Sequence, residues 1–326
     1  MSKLVTIYGG SGFVGRYIAR RMAKDGWRVR VAVRRPNEAL FVKPYGVVGQ
    51  VEPVFCNIRD DDSVRLAMQG ADAVVNCVGT FDAGGKNNFD AVQAEGATRI
   101  ARIAAEQGVA TMVHLSAIGA DAEAESGYAA SKGKGEQGVL EHMPNAMILR
   151  PSVIFGMEDE FFNRFATMTR FTPVLPMVGA DTKFQPVYVD DVARAACMGV
   201  KGEASGIYEL GGPETKSFRD LMQDMLGVIH RRRLLANIPF AVAGPMASIM
   251  RVVEVLSLGL VPAQITRDQV TQLQHDNIVS GDHKDLSDLG IRPTAPEAVM
   301  PDYLWRFRPS GQYDAIKESA KNLRAH

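Results

Sequence analysis

The fold is decided near the start of the chain, where residues 4–15 read LVTIYGGSGFVG. A short β-prone run precedes Gly9, Gly12 and Gly15, and apolar residues then recur at helical spacing as far as Lys24. A strand, a glycine turn and a helix in this order are typical of the first unit of a dinucleotide-binding sheet. The alternative is a glycine-rich turn in some other βαβ unit.

The rest of the first 150 residues alternates strands with helices. Strands are predicted at 28–33, 50–55, 73–78, 111–115 and 146–149, and helices at 63–69 and 89–107. Strands that alternate with helices pair in parallel through right-handed crossovers. We therefore expect an α/β fold with a doubly wound parallel sheet of the Rossmann type.

The pattern loosens after residue 150, where prolines interrupt the segments. We assign 1–150 to the nucleotide-binding domain and expect 181–200 to complete its sheet, with a strand at 187–189. Residues 151–180 and 201–326 are assigned to a smaller C-terminal α/β domain that provides an interface.

Composition excludes several classes of protein. The 37 Lys and Arg residues balance 37 Asp and Glu residues, and a neutral chain is a poor general ligand for nucleic acid. The three cysteines and six histidines are dispersed, which argues against a metal site. The sequence contains no long uninterrupted apolar run, so we expect no membrane span. A strand that starts at Leu4 would leave no room for a leader peptide.

The glycine spacing fits a loop that holds a pyrophosphate. Gly9 would let the chain turn sharply, Gly12 would let the backbone approach the phosphates, and Gly15 would let the helix pack closely. The helix N-terminus adds N–H donors and a positive dipole. The candidate cofactor-binding residues of this loop are Gly9, Ser11, Gly12, Phe13, Val14 and Gly15.

Two arginines, Arg34 and Arg35, follow the second predicted strand. A site for NAD places an acidic residue about 20 residues beyond the glycines, where it binds the ribose 2′-hydroxyl. Guanidinium groups at this place instead suit a 2′-phosphate, which arginine grips bidentately. The cofactor expected from these residues is NADP(H), and the alternative is a solvated charge pair at a strand end.

Further candidate cofactor contacts follow other strands. An asparagine after the third strand can face the adenine, and the NCVG segment at 76–79 would run beside the adenosine half of the cofactor. These candidates are Asn57, Cys77, Val78, Gly79 and Pro151. We expect Cys56 and Cys77 to be core thiols, and His114 to be a core histidine whose hydrogen bonds are satisfied.

The motifs resemble the extended and atypical short-chain dehydrogenase/reductase superfamily. GGSGFVG at 9–15, NCVG at 76–79, YAASK at 128–132 and QPVYVDDVA at 185–193 follow the superfamily order. Within it the chain looks most like the NAD(P)H-binding accessory subunits of respiratory complex I, in their α-proteobacterial form. The segments that carry this likeness are VHLSAIGAD at 113–121, ILRPSVIFG at 148–156, YELGGPETKSFRDLM at 208–222 and ITRDQVTQLQHDNIVS at 265–280.

The resemblance assigns roles to Tyr128 and Lys132, which lie four residues apart and therefore on one helix face. In catalytic members the tyrosine is the general acid/base, and the lysine lowers its pKa and holds the nicotinamide ribose. The matching serine would stand at Ala117, next to Ser116, and the matching asparagine is Gln93. The resemblance thus implies a vestigial pair that holds the ribose, because the group that polarises a substrate carbonyl is lost or moved.

The function implied by the resemblance is a non-catalytic accessory subunit that holds a structural NADP(H). Its partners would be other complex I subunits where the hydrophilic arm meets the membrane arm, on the cytoplasmic side of a bacterial inner membrane or the matrix side of an organelle. Three segments suit an interface, with anionic lipid headgroups as a further partner: 230–233 (HRRR), Ile238–Val261, which is apolar but interrupted by charges, and Trp305–Arg308.

Two other functions stay open. The first is a free-standing NADP-dependent oxidoreductase or epimerase that acts on a sugar-nucleotide, a quinone or another carbonyl compound. The second is a nucleotide-sensing regulator with the same fold. Ala117 favours a non-catalytic protein over the enzyme.

Overall fold

The computed structural model describes residues 2–81, 84–245, 248, 266–309 and 311–313. The chain divides into two units. The first comprises Met1–Ser152, Val189–Gly211 and Val279–Pro293, and the second comprises Val153–Tyr188, Gly212–Ile278 and Thr294–His326.

Thirteen strands and seven principal helices are used below. The strands are β1 Leu4–Tyr8, β2 Arg28–Val33, β3 Val51–Phe55, β4 Ala73–Asn76, β5 Thr111–Leu115, β6 Met147–Pro151, β7 Ile154–Phe155, β8 Val174–Val178, β9 Lys183–Phe184, β10 Val187–Tyr188, β11 Gly206–Leu210, β12 Lys216–Ser217 and β13 Leu234–Ile238. The helices are α1 Phe13–Lys24, α2 Asp61–Met68, α3 Glu95–Glu106, α4 Gly127–His142, α5 Phe161–Met168, α6 Val189–Lys201 and α7 Phe218–Val228. Two later helices span Arg267–Gln272 and Pro296–Leu304.

The sheet of the first unit has seven strands in the order β3-β2-β1-β4-β5-β6-β11. Every neighbouring pair is parallel. This order places β1 and β4 at the point where the chain reverses its direction across the sheet, which is where doubly wound folds bind ligands. The predicted α/β fold with a doubly wound parallel sheet is confirmed.

The strand that completes the sheet is not the predicted one. Val187–Tyr188 pairs with Ile154–Phe155 in the second unit, and Gly206–Leu210 pairs with β6 instead. The assignment of 201–326 to the C-terminal domain is corrected accordingly for β11 and also for Val279–Pro293, because both belong to the first unit. The reason is that α6 supplies the crossover, so the parallel strand must follow that helix rather than precede it.

Side chains of the central strands alternate between two helical layers. Met112 and Ile148 belong to the apolar cluster that α2, α3 and α4 cover. Val113 and Met147 point to the opposite face, where a Cβ built on Gly199 of α6 would lie 2.7 Å and 2.6 Å from their side chains. The sheet is therefore buried on both faces, as its continuous apolar strands require.

The second unit is built around an aromatic cluster. Ring contacts link Phe155, Phe161, Phe162, Phe165, Phe184, Tyr188 and Phe218. The buried Asp159 accepts a hydrogen bond from the Tyr303 hydroxyl at 2.6 Å and others from the Gly156 and Asn163 amides. Burial raises the pKa of both Asp159 and Tyr303. This bond ties the Pro296–Leu304 helix to the start of α5.

Part of the apolar Ile238–Val261 stretch lies outside the described residues, namely 246–247 and 249–261, whereas 240–245 is helical. Among the helices that the structure describes, none is long and apolar enough to cross a bilayer. In the C-terminal segment Trp305–Arg308, Phe307 is buried in the apolar core of the second unit. The Arg308 guanidinium donates to the Val228 carbonyl. These contacts tether the segment to its own unit.

The fold makes a stability prediction at Gly15. A Cβ there would lie 2.5 Å from the Gly9 carbonyl oxygen and 2.7 Å from the Gly10 Cα. We expect Gly15→Ala to lower the free energy of unfolding by about 1–3 kcal/mol, because backbone must move to relieve the overlap. Urea denaturation measures this change. The control is Gly227→Ala in α7, where nothing lies within 4 Å of the added methyl and a gain of up to about 1 kcal/mol is expected. Equal effects at the two glycines would contradict the packing argument.

Candidate functional site

The glycine loop joins β1 to α1 by a tight turn. Gly9 has φ +73°, a conformation that favours glycine, and its amide donates to the Ala32 carbonyl at 3.0 Å. The Gly12 amide donates back to the Gly9 carbonyl at 2.9 Å. Gly12 caps α1 without a side-chain hydrogen bond, and the first turn holds no acidic residue. The helix N-terminus is therefore left for an external anion.

Arg16 braces this loop from the first turns of α1. Its guanidinium donates to the Ser11 carbonyl at 3.0 Å and to the Gly12 carbonyl at 3.3 Å. The same group lies 4.8 Å from the ring centroid of Phe41. These contacts link the glycine loop to the Phe41 ring through one guanidinium.

The two arginines after β2 are both exposed but are not equivalent. Arg35 forms an ion pair with Glu38 at 3.1 Å. Arg34 makes no hydrogen bond or ion pair with any residue that the structure describes. The free guanidinium at the carboxyl end of β2 is the one that can take a phosphate without breaking an existing pair.

Cys56 and Asn57 follow directly after β3, and Cys77 follows directly after β4. The Asn57 amide oxygen accepts from the Arg59 backbone at 3.2 Å, so that end of the side chain is already used in a turn. Burial raises the pKa of Cys56 to about 11 and that of Cys77 to about 12. Both thiols stay protonated near neutral pH, which makes them poor nucleophiles.

Only one of the two ring nitrogens of His114 has a hydrogen-bond partner among the described residues, contrary to the expectation that its hydrogen bonds are satisfied. The Asn76 amide oxygen accepts from the Val78 backbone at 3.1 Å, so the amide nitrogen faces the imidazole Nδ1 at 3.1 Å. Nδ1 then accepts, and the proton sits on Nε2, which is buried without a partner among the described residues. Burial and the nearby Lys132 lower the pKa of His114 to about 3, so the ring is neutral.

Lys132 is buried at the carboxyl end of β5. Its ammonium donates to the Leu115 carbonyl at 3.0 Å, and a Cβ built on Gly79 would lie 3.9 Å from Nζ. Burial lowers the pKa of Lys132 to about 8, although Glu136 and Cys77 raise it. The amine thus has donors to spare beside the loop that follows β4.

Tyr128 lies one turn before Lys132 on α4, and its half-buried ring contacts two other aromatic rings. Phe81 stacks on it with centroids 5.4 Å apart and planes at 10°, while Phe89 meets it edge-on at 5.9 Å. The Lys132 Nζ lies 5.9 Å from the Tyr128 ring centroid. One face of the tyrosine is therefore covered.

The residues at positions 116 and 117 determine whether the site has a hydroxyl that could polarise a substrate carbonyl. The Ser116 hydroxyl is buried and has no hydrogen-bond partner among the described residues, while its amide donates to the Leu149 carbonyl at 2.7 Å. Ala117 carries no polar side chain. The buried Gln93, in the π-helical segment Asp90–Ala94, donates to the Thr80 carbonyl, and its Oε1 has no partner among the described residues. Unpaired buried polar atoms at one sheet edge are typical of a site completed by a ligand or water.

The sequence did not predict two side-chain contacts near Lys132, both made by Arg150. Glu136, the next inward residue of α4, forms a bidentate ion pair with Arg150, with distances of 2.9 Å and 2.6 Å. His283 also contacts the Arg150 guanidinium, at 3.1 Å. The four-residue spacing from Tyr128 through Lys132 to Glu136 was the available signal, whereas the partner on β6 could be found only from the fold.

The structure brings the predicted cofactor residues to one edge of the sheet. The glycine loop, Arg34 and Arg35, Asn57, the 77–79 turn and Pro151 follow β1, β2, β3, β4 and β6 or end them, and Tyr128 and Lys132 project from α4. All belong to the first unit. Their individual contacts with a cofactor remain predictions.

This geometry matches a known family. The model of the NAD dependent epimerase/dehydratase family aligns with residues 5–211. The chain belongs to this family. A UDP-glucose 4-epimerase from Thermus thermophilus, solved in complex with NAD, superposes with a TM-score of 0.69 at 18% identity, covering 94% of this chain and 99% of the epimerase. That likeness concerns the fold.

Relatives in sequence differ in what they do. NADH dehydrogenase (ubiquinone) 1 alpha subcomplex subunit 9, a mitochondrial protein of Arabidopsis thaliana, is 31% identical over 316 residues, which cover 94% of this chain and 79% of the relative. A ceramide reductase of Caulobacter vibrioides is 30% identical over 239 residues, which cover 72% of this chain and 74% of the reductase.

The buried amine predicts a pH-dependent stability. Unfolded Lys132 keeps its proton up to its ordinary pKa of 10.5, whereas the folded chain releases it near 8. Between these values the unfolded state binds more protons, so the free energy of unfolding rises with pH. Relative to Lys132→Met, the wild type should gain stability across this window, by at most about 3 kcal/mol. Denaturation at a series of pH values measures the difference.

The matched control is Lys134→Met, an exposed lysine of the same helix. Its side chain is exposed, so this substitution removes a lysine without removing a buried amine. A flat difference profile for Lys132→Met would contradict the burial of the amine.

Proposed function

We propose that this epimerase/dehydratase-family chain holds NADP(H) as a structural element and does not turn over a substrate. The glycine loop would bind the pyrophosphate, Lys132 and Tyr128 the nicotinamide ribose, and Arg34 the 2′-phosphate. The observations that carry the cofactor proposal are the α1 N-terminus, which no side chain caps, and Arg34 at the carboxyl end of β2, which forms no hydrogen bond or ion pair with any described residue. When bound, the nucleotide supplies phosphates and hydroxyls that pair with donors otherwise left unused.

The choice of NADP(H) over NAD(H) rests on the arginines and is testable. A charge-assisted hydrogen bond contributes about 1.5–3 kcal/mol, so Arg34→Ala should weaken retention of NADP(H) roughly tenfold. Arg35→Ala is the matched control and should do less, because that side chain is engaged by Glu38. Mass spectrometry of the nucleotide released from the purified protein measures identity and amount. Recovery of mainly NAD(H) would overturn the proposal.

The non-catalytic part rests on what surrounds Tyr128. A carbonyl substrate must reach the phenol and a second polar group that stabilises the developing charge. Here Ala117 stands where the resemblance expects the serine and offers no hydroxyl, and Phe81 stacks on the Tyr128 ring. On this proposal Tyr128 and Lys132 bind the cofactor and transfer no proton.

We further propose that the chain is an accessory subunit of respiratory NADH:quinone oxidoreductase. The relative from Arabidopsis thaliana, which carries the name of such a subunit and matches nearly the whole chain, supports this. The resemblance suggests a peripheral position where the hydrophilic and membrane arms meet, on the cytoplasmic side of a bacterial membrane or the matrix side of an organelle. Contact with anionic headgroups has less support, because Arg231 and Arg233 donate to the Phe307 and Thr169 carbonyls of their own unit.

Deletion of the gene tests this assignment. Blue-native gels of solubilised membranes should show a smaller or less stable complex with lowered NADH:quinone activity, restored by the wild-type gene. Gly12→Val, whose side chain would block the phosphates, should fail to restore it, while Tyr128→Phe should restore it nearly fully. If the tagged wild-type chain stays apart from every complex I subunit, the assignment is wrong.

A second candidate function is an NADP-dependent reductase. Two observations favour it: the buried Ser116 hydroxyl, which has no partner among the described residues, and the relationship to a ceramide reductase. The two functions differ in one measurement on the purified chain. Steady oxidation of NADPH with an added carbonyl compound or quinone, lost in Tyr128→Phe, would establish the reductase and refute the structural role.

A further inference from the structure

An apolar surface on the first unit contains none of the candidate cofactor-binding residues. The segment 36–50, which connects β2 to β3, begins with the 3-10 helix Pro36–Tyr45 rather than an α-helix. Its exposed apolar side chains are Leu40 (51% exposed), Phe41 (43%), Val47 (74%) and Val48 (105%). We call these four residues the connector surface. Large apolar side chains exposed to this extent within one short segment mark a candidate interaction site.

The connector surface is held in a fixed shape along α1. The guanidinium groups of Arg16 and Arg20 lie 4.8 Å from the ring centroids of Phe41 and Tyr45. One turn further, the Gln50 side chain donates to the Ala23 carbonyl at 2.6 Å. The segment thus follows the helix over about 10 Å, at about 1.5 Å per residue.

The tip of the surface is a tight turn. The Gln50 amide donates to the Val47 carbonyl at 3.0 Å, and Gly49 has φ +78°, which defines a type II turn with Val48 at its corner. The Gln50 side-chain oxygen also accepts from the Val47 amide at 2.9 Å. Two valines are therefore held outward by hydrogen bonds, although the neighbouring Val42 and Ala39 are buried.

The charges around this surface are one-sided. Residues 16–48 contain only two carboxylates, Asp25 and Glu38, and each is paired, with Lys201 at 2.5 Å and Arg35 at 3.1 Å. Arg20 and Lys43 form no ion pair with any residue in the described part of the chain. Within 16–48, cationic side chains therefore outnumber carboxylates, and Arg20 and Lys43 have capacity for added carboxylates.

We propose that the connector surface docks an acidic protein segment, whose apolar side chains cover Val47 and Val48 and whose carboxylates meet Arg20 and Lys43. That this segment belongs to a complex I subunit rests on the proposed function. A protein is favoured over a lipid surface because the apolar groups stand on a rigid turn and the Arg20 guanidinium is stacked in place. Fixed guanidinium forks suit carboxylates, whereas peripheral membrane binding relies on a helix with a long apolar face.

The test places a photo-reactive p-benzoylphenylalanine at position 48 of the full chain, in cells that lack the natural copy. Leu66, which is 71% exposed on α2 of the same unit, is the matched control position. Irradiation should link position 48 to one protein, through a peptide rich in Asp and Glu, and position 66 should not give this adduct. Arg20→Glu combined with Lys43→Glu should lower the yield roughly tenfold while the nucleotide content stays unchanged.

Each other outcome overturns the docking proposal: adducts with lipid only, adducts within the chain, or a protein adduct that survives the charge reversal. Two results separate it from the proposed function. A charge-dependent acidic partner outside complex I would leave the docking surface standing and refute the complex I assignment. Co-migration with complex I without a protein adduct at position 48 would do the reverse.

Discussion

The close seat of α1 on the glycine loop is the constraint on which the first unit depends. Because Gly15 lacks a side chain, the helix approaches the Gly9 carbonyl to a distance that any Cβ would forbid. This approach aims the first turn of α1 at the carboxyl ends of the strands. The same helix carries Arg21, whose bidentate contact with Asp190 joins it to α6 on that face of the sheet. One missing methyl group therefore sets both the anion site and one helical layer.

The polar groups buried on the opposite face of the sheet lower the stability of the fold. In the described part of the chain, the Gln93, His114 and Ser116 side chains each bury a polar atom without a hydrogen-bond partner, and Lys132 is buried with a lowered pKa. Such groups cost about 1–3 kcal/mol each when nothing satisfies them. A core built only for stability would replace them with apolar side chains. Their concentration around one lysine favours a place that a ligand completes.

Local patterns predicted the sheet well because each early strand and helix is coded by its own residues. The glycine loop needs small residues at fixed spacing, and Phe13–Lys24 has a clear helical period, so both could be read from the sequence. β11 could not, because a short run between glycines becomes a strand only when α6 delivers it beside β6. The half-satisfied His114 likewise depends on Asn76, a residue of the neighbouring strand. Pairing across the fold leaves no periodic signal.

The glycine loop and the connector surface share Arg16, and on the proposed function this gives a non-catalytic subunit a reason to keep its cofactor. Arg16 touches the Ser11 and Gly12 carbonyls on one side and Phe41 on the other. A ligand that binds only the folded loop stabilises it by mass action, by about 2.7 kcal/mol at a concentration 100 times its dissociation constant. That stabilisation extends to any group whose position requires the loop to be in place. On the proposed function, a cofactor that is never consumed therefore still contributes to assembly, because it holds the helix and the loop against which the connector surface is built.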